Sequence, residues 1–164
     1  MALLTADKAR ELLDYDPETG DIHWRASVSK NVKVGALAGS KRQDGYIQIR
    51  FDGKFYMAHR LAWLITNGAW PIEHIDHING VHDDNCITNL REASHSLNLQ
   101  NQRLPSTNNK SGYLGVSWCA ISKAFRARIV VQGKQRYLGR FTDPAEAHQA
   151  YLTAKRQLHA GCTI

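Results

Sequence analysis

The sequence predicts an α+β protein, and two stretches of it carry that prediction. Residues 73–101 read as a strand, a polar loop, a returning strand and a helix, which is a ββα unit. Beyond residue 112, three strand-like runs precede a single amphipathic helix. We therefore expect a ββα core with a small α/β region before it, followed by a three-stranded antiparallel sheet packed on one helix.

The N-terminal region shows local signals for two helices, a strand and a hairpin. Two-residue Asp-Gly turns favour hairpins, and a glycine commonly ends a helix. We expect a helix over Thr5–Tyr15, a turn into a strand over residues 15–24, a hairpin turned by Asp52-Gly53, and a helix that ends at Gly68.

The segment "EHIDHINGVHDDNCITNLREASHSLNLQN" places a carboxylate, an imidazole and a downstream amide in a fixed order. Its first strand ends at His77, and a polar loop over 79–85 leads to the strand "NLRE". Asp76 could hold a divalent cation, His77 could take a proton from water, and Asn98 could supply a second oxygen ligand. These are the parts that a one-metal phosphodiesterase needs.

This segment resembles the ββα-metal core of the HNH nucleases, in the variant found among phage and intron-encoded endonucleases. The resemblance implies that His77 is the general base, Asp76 is a metal ligand, and Asn89 steadies the loop and the base. It also implies a second ligand on the following helix. Asn98 matches that place, although the family's name puts His there, and His95 lies one helical turn upstream as an alternative.

The resemblance implies one Mg²⁺ or Mn²⁺ ion, and the chain shows no ligands for a structural zinc. Among the other histidines, His74 and His82 could face phosphate or could be solvated. We expect His59, in "MAHRLAWLI", near the start of a buried helix.

Charge is divided unevenly along the chain. Residues 1–105 hold 12 Lys and Arg against 13 Asp and Glu, whereas residues 106–164 hold 9 against 2, a net charge of +7. Such an excess suits a polyanion. Residues 103–112 contain Pro, Ser and Asn without apolar periodicity and are expected to form a linker. We therefore predict a nuclease domain over 1–105, with its core at about 73–102, and a DNA-binding domain over 106–164.

Three strands are expected in the second domain, "YLGVSW", "FRARIVV" and "KQRYLGRF". Alternation along the middle strand points Ala127 and Ile129 toward the helix, with Arg126 and Arg128 on the other face. Asp143 is the expected N-cap of the helix, with Pro144 at its first position.

The segment 106–164 resembles the APETALA-type, ethylene-response-factor DNA-binding domains through "GV" at 115–116, "LG" at 138–139 with Phe141, and "AEAHQAY". In that family a three-stranded sheet lies in the major groove. The resemblance implies that the DNA contacts are made by Ser117, Arg126, Arg128, Lys134, Gln135, Arg136, Tyr137 and Arg140. Of these, Lys134, Arg136 and Arg140 would lie nearer the phosphate backbone.

Composition places the chain in a reducing, aqueous compartment. Its three cysteines are widely spaced, no run approaches the length of a membrane span, and the N-terminus becomes charged too early for a signal peptide. We expect a cytoplasmic protein, in the bacterial host if phage-encoded, without an obligate protein partner and able to act as a monomer.

Together these features predict a metal-dependent, site-preferring DNA endonuclease of the homing or free-standing phage type. Its partner would be double-stranded DNA, and its products a 5′-phosphate and a 3′-hydroxyl. Relatives that have Asn where the last letter of the family's name puts His often nick one strand, so the resemblance also suggests nicking. The alternative is a non-catalytic, sequence-specific DNA-binding regulator on an HNH scaffold. RNA binding is less favoured, because no aromatic RNP-like strand motif is present.

Overall fold

The computed structural model describes residues 4–163, which form two compact units that divide between Ser94 and His95. This division falls before the third helix of the chain, eleven residues ahead of the boundary expected after Pro105. Both units mix helices with antiparallel strands, in agreement with the expected fold class. No helix among residues 4–163 combines the length and the apolar character needed to span a membrane.

The first unit contains two helices and seven short strands. In chain order they are α1 (Ala6–Leu12), β1 (Leu13–Tyr15), β2 (Ile22–Trp24), β3 (Ser40–Lys41), β4 (Ile47–Phe51), β5 (Lys54–Met57), α2 (Ala58–Asn67), β6 (His74–His77) and β7 (Leu90–Ala93). The strands pair as β1–β2, as β3–β4–β5 and as β6–β7, all antiparallel. A short 3₁₀ helix, Ile87–Asn89, leads into β7.

Local chemistry accounts for most of these boundaries. Thr5 caps α1 by accepting a hydrogen bond from Lys8 N–H, and Gly68 ends α2 in the left-handed conformation. Asp52 and Gly53 both have positive φ, as the tight β4–β5 turn requires. The expected helix over Thr5–Tyr15 is wrong in its last three residues, because Leu13–Tyr15 is extended and pairs with β2 instead.

Two apolar clusters hold the first unit together. The larger one joins α1, β2, β4 and α2 around buried side chains that include Leu13, Ile49 and Leu61. The smaller one packs Ala62 of α2 against Ile75 of β6 and Leu90 of β7. This smaller cluster fixes the β6–β7 hairpin on α2, and that hairpin carries Asp76 and His77.

The second unit contains α3 (His95–Gln100), β8 (Val116–Cys119), β9 (Ala124–Val131), β10 (Lys134–Phe141) and α4 (Pro144–Leu158). The three strands form an antiparallel sheet in the order β10–β9–β8. Asp143 caps α4 by accepting a hydrogen bond from Ala145 N–H. Ala127 and Ile129 are buried against α4, which agrees with the expected alternation of β9.

Contacts within the second unit explain why residues 95–103 belong to it. Lys155 of α4 is fully buried, and its ammonium group donates a hydrogen bond to the carbonyl oxygen of Gln102. Arg103 donates to Thr163 Oγ1 at 2.6 Å, and Gly161 N–H donates to Gln100 Oε1 at 3.1 Å. The segment that includes α3 is therefore tied to α4 and to the C-terminal residues.

Candidate active site

The β6–β7 hairpin buries the Asp-His pair at the end next to its connecting loop. His77 is the last residue of β6 and lies opposite Leu90, and Asp76 lies opposite Arg91. Only 2% of His77 and 5% of Asp76 are exposed. Buried polar side chains require partners, and each of these two has one nearby.

His77 is held by Asn85. The His77 Nε2 atom lies 3.3 Å from Asn85 Oδ1, and an amide oxygen only accepts hydrogen bonds. Nε2 therefore carries the proton in the tautomer that makes this bond, which puts the lone pair on Nδ1. Burial lowers the pKa of His77, and the hydrogen bond that the ring donates to Asn85 opposes this in part. The imidazole is thus neutral at neutral pH, as a general base must be.

Asn89 closes the loop that follows His77. Its Oδ1 accepts the Asn79 backbone N–H at 2.9 Å, and its Nδ2 donates to the Asp84 carbonyl at 2.8 Å. Its own carbonyl accepts the Ile78 N–H at 2.9 Å. One side chain therefore bridges the two ends of the loop, and this geometry is compatible with the role that the resemblance implies for Asn89.

The Asn89 bridge leads to a prediction about stability. Replacing Asn89 by Ala leaves the Asn79 N–H and the Asp84 carbonyl without that partner, so the free energy of unfolding should fall by about 1–3 kcal/mol. For a chain of this size each kcal/mol lowers the melting temperature by about 2–4 °C. Thermal denaturation followed by circular dichroism measures the change. An unchanged melting temperature would show that the bridge contributes nothing to stability.

Asp76 is paired with Arg91 across the hairpin. Arg91 donates to Asp76 Oδ2 from Nε at 2.9 Å and from Nη2 at 2.7 Å. The guanidinium group balances the buried carboxylate and fixes its orientation. In residues 4–163, no group of three or more His, Cys, Asp and Glu side chains is arranged to hold a metal ion. A single carboxylate suits Mg²⁺, which keeps several waters and also uses phosphate oxygens as ligands.

Three further aromatic rings surround His77. The ring centroids of Tyr46, His59 and His82 lie 5.7, 5.2 and 5.9 Å from that of His77. His82 stacks on Tyr46 at 4.1 Å and donates from Nδ1 to the Asp44 carbonyl at 2.9 Å. These rings form a wall around the imidazole and contribute to its burial.

His59 is the most deeply placed of these neighbours. It is the second residue of α2, 7% exposed, which agrees with its expected place near the start of a buried helix. Burial, with smaller effects from His77 and Arg60, lowers the pKa of His59 to about 3, so its ring is neutral. A neutral His59 adds no repulsive charge beside His77.

The two candidate ligands of the following helix lie in the second unit. Asn98 is half-buried and His95 is exposed, one turn apart on α3. The structure thus brings Asp76, His77 and Asn89 together on one hairpin, while the choice between Asn98 and His95 stays a prediction.

Sequence reasoning missed Asn85, Arg91 and Tyr46 as parts of this site. Asn85 lies in the expected polar loop over 79–85, but nothing in that loop's sequence shows that its amide reaches His77. Arg91 could have been found from the register, since it faces Asp76 once the hairpin is aligned through Leu90 and His77. Tyr46 carries no local signal.

The exposed face of the second sheet carries most of the expected DNA contacts. Directly paired residues share a face, and the register joins Arg126 with Ser117 and Arg140, Arg128 with Tyr137, and Gln135 with Val130. These six polar residues form what we call the arginine face: Ser117, Arg126, Arg128, Gln135, Tyr137 and Arg140. Arg128 also donates to Gln135 Oε1 at 3.3 Å.

Lys134 and Arg136 lie elsewhere. They pair with Val131 and Ile129, which places them on the opposite face, near the β9–β10 turn. Both are exposed there. The eight expected contacts are therefore divided between a flat face and one end of the sheet.

Comparison with known proteins places this hairpin in a recognised domain. A family model described as HNH endonuclease matches residues 56–100. Protein 3.8 of Escherichia phage T7 is 33% identical over 110 residues, which cover 65% of this chain and 89% of that protein. No solved structure matches. The Asp-His hairpin thus lies inside the matched domain, and the chain belongs to the HNH endonuclease family.

Proposed function

We propose that this protein is a metal-dependent, site-preferring DNA endonuclease that nicks DNA and leaves 5′-phosphate and 3′-hydroxyl ends. The observation that supports this most is His77, a buried and neutral imidazole at the end of β6, oriented by Asn85 and next to Asp76 in the sequence. The match to the HNH endonuclease model supports a DNA phosphodiester as the substrate.

His77 acts in this proposal as the general base. With the proton on Nε2, the Nδ1 lone pair accepts a proton from the water that attacks phosphorus. The hydrogen bond to Asn85 keeps the His77 ring from rotating away. Asn89 in turn holds the loop that contains Asn85, by donating to the carbonyl of Asp84. The surrounding rings of Tyr46 and His59 limit the access of bulk water, which keeps the imidazole neutral.

Asp76 and Asn98 are the residues proposed to hold one Mg²⁺ or Mn²⁺ ion. Carboxylate and amide oxygens are ligands that such hard cations prefer. When bound, an ion of this kind offsets the negative charge that develops on the phosphate and on the leaving 3′ oxygen. Arg91 holds the Asp76 carboxylate in one orientation, so that this ligand is preorganised.

The second unit is proposed to bind double-stranded DNA as an APETALA-type, ethylene-response-factor domain does. This unit holds 10 Lys and Arg against 2 Asp and Glu, a net charge of +8. The arginine face supplies guanidinium, amide and phenol groups that can contact base edges. Lys134 and Arg136, at the end of the sheet, are proposed to contact phosphate.

One observation favours the alternative of a non-catalytic DNA-binding regulator. Arg91 already binds the Asp76 carboxylate through two N–H groups, and this ion pair competes with a metal ion for the same oxygen. A regulator needs the basic second unit but neither metal nor cleavage.

Incubation of the full-length protein with phage genomic DNA separates these two functions. We expect nicks at preferred positions with Mg²⁺ or Mn²⁺ and none with EDTA. Sequencing of the broken ends locates the nicks. Sequence-specific binding without any nick, at every metal concentration, would support the regulator and contradict the endonuclease.

The second metal ligand can be tested by substitution on α3. Asn98→Ala should raise the metal concentration that gives half-maximal cleavage, and Asn98→His should restore part of the activity, because an imidazole can replace the amide oxygen as a ligand. His95→Ala should have little effect. If His95→Ala abolishes the metal response while Asn98→Ala does not, the ligand is one helical turn upstream.

A further inference from the structure

The turn between β1 and β2 packs against the segment that contains Asn85. Three hydrogen bonds cross this contact. Tyr15 Oη donates to the Asn85 carbonyl at 2.8 Å, Cys86 Sγ donates to the Glu18 carbonyl at 2.8 Å, and Ile87 N–H donates to the Pro17 carbonyl at 3.1 Å. Both donor side chains are protonated at neutral pH, because burial raises the pKa of Tyr15 and the Asp84 carboxylate raises the pKa of Cys86 to about 11.

Gly20 brings the two segments together without space for a side chain. A Cβ atom at Gly20 would lie 2.5 Å from Cys86 N and 2.6 Å from Asn85 C. Its φ of +79° also belongs to the left-handed region that glycine adopts most readily. Any larger residue would push the backbone of Asn85 and Cys86 away from the turn.

We propose that the β1–β2 turn positions the general base, with Tyr15 and Gly20 as positioning residues that act on His77 through Asn85. The chain of contacts is short: the turn holds the Asn85 backbone, and the Asn85 side chain holds His77 Nε2. This inference rests on the proposed function and names residues about 60 positions before His77 that determine how its Nδ1 is aimed.

The matched experiment compares two pairs of variants in the full-length protein. Tyr15→Phe removes only the hydroxyl that binds Asn85, and Tyr56→Phe serves as its control in the same unit. Gly20→Ala adds the methyl group that collides with Asn85 and Cys86. Gly35→Ala is its control, because Gly35 has a similar φ of +82° but nothing within 4 Å of an added Cβ.

Single-turnover cleavage with Mg²⁺ and DNA affinity are measured for all four variants. Misplacing a catalytic group by about 1 Å can cost about 10²-fold in rate. We expect Gly20→Ala to slow cleavage by about 10²-fold and Tyr15→Phe by about tenfold, both with unchanged DNA affinity. The two controls should cleave within about twofold of the unsubstituted protein.

A structural role is separated from a positioning role by repeating the substitutions with His77→Ala. If Tyr15 acts through His77, Tyr15→Phe should have no further effect once the imidazole is gone. A rate for Tyr15→Phe equal to that of the unsubstituted protein overturns the proposal. So does a slowing that persists in the His77→Ala background. Should Gly20→Ala fail to fold, Tyr15→Phe decides alone.

The NMR signals of the His77 ring give a test that does not depend on cleavage. We expect Tyr15→Phe to shift the ring nitrogen and proton resonances of His77, and Tyr56→Phe to leave them unchanged. Unshifted resonances in Tyr15→Phe overturn the positioning role, whatever the activity. Shifted resonances in a protein that cuts no DNA would instead support the contact and contradict the proposed function.

Discussion

Replacing His77 by Ala should lower the cleavage rate by about 10²-fold or more, because a positioned general base contributes about 10²–10⁴-fold. DNA affinity should stay nearly unchanged, since the basic residues of the second unit are untouched. Single-turnover cleavage and equilibrium binding of the same DNA measure the two quantities separately.

His74→Ala is the matched control for that substitution. His74 is the first residue of the same strand and is exposed, whereas His77 is its last and is buried. The His74 variant should therefore cleave within a few-fold of the unsubstituted protein. A His77→Ala rate in that same range would end the assignment of His77 as the base.

The second large effect is expected from the arginine face. Arg126→Gln combined with Arg128→Gln should lower the ratio of the affinities for the preferred sequence and for other sequences by about 10²-fold or more. The reason is that each good contact to a base edge contributes about 1–3 kcal/mol. The slope of log affinity against log salt should also become less steep, by about 0.9 for each phosphate charge no longer neutralised. Filter binding over a salt series, with two DNA sequences, gives both values.

Lys134→Gln with Arg136→Gln removes the same charge from the other face of the sheet. This control should weaken binding to both DNA sequences equally, because phosphate contacts carry no sequence information. Sequence preference should be retained. If the Lys134 and Arg136 variant loses preference while the Arg126 and Arg128 variant keeps it, the two faces have the opposite roles.

Local signals were sufficient for most elements of the fold. The Asp52-Gly53 turn, the end of α2 at Gly68 and the start of α4 after Asp143 each depend on the chemistry of one or two residues. The strand Leu13–Tyr15 is not evident from the sequence, because the helical periodicity of the preceding residues continues into it. Its extended conformation depends on pairing with β2 instead. The boundary between the two units lies before α3 because α3 and the residues after it are held by α4. Buried Lys155 of α4 binds the carbonyl of Gln102, which lies 53 residues earlier in the chain.

The candidate site likewise contains some residues that the sequence indicates and some contacts that only the fold brings about. Asp76, His77 and Asn89 are close in sequence, and the order of residue types was enough to single them out. The supporting contacts join distant positions: Tyr15 and Asn85 are 70 residues apart, and Tyr46 and His59 approach His77 from other elements. Such contacts arise from the packing of β4, α2 and the β1–β2 turn, and no periodicity in the sequence encodes them.

The chemistry of the broken DNA ends tests the central claim most directly. Full-length protein is incubated with phage DNA and Mg²⁺, and the nicks are then treated with DNA ligase, with or without prior removal of 5′-phosphates by phosphatase. Hydrolysis assisted by His77 predicts nicks that ligase seals and that phosphatase treatment makes unsealable, with almost no nicks from His77→Ala. Ends with a 3′-phosphate would contradict the account. So would nicking by His77→Ala, or by the protein in EDTA, at the rate of the unsubstituted protein with Mg²⁺.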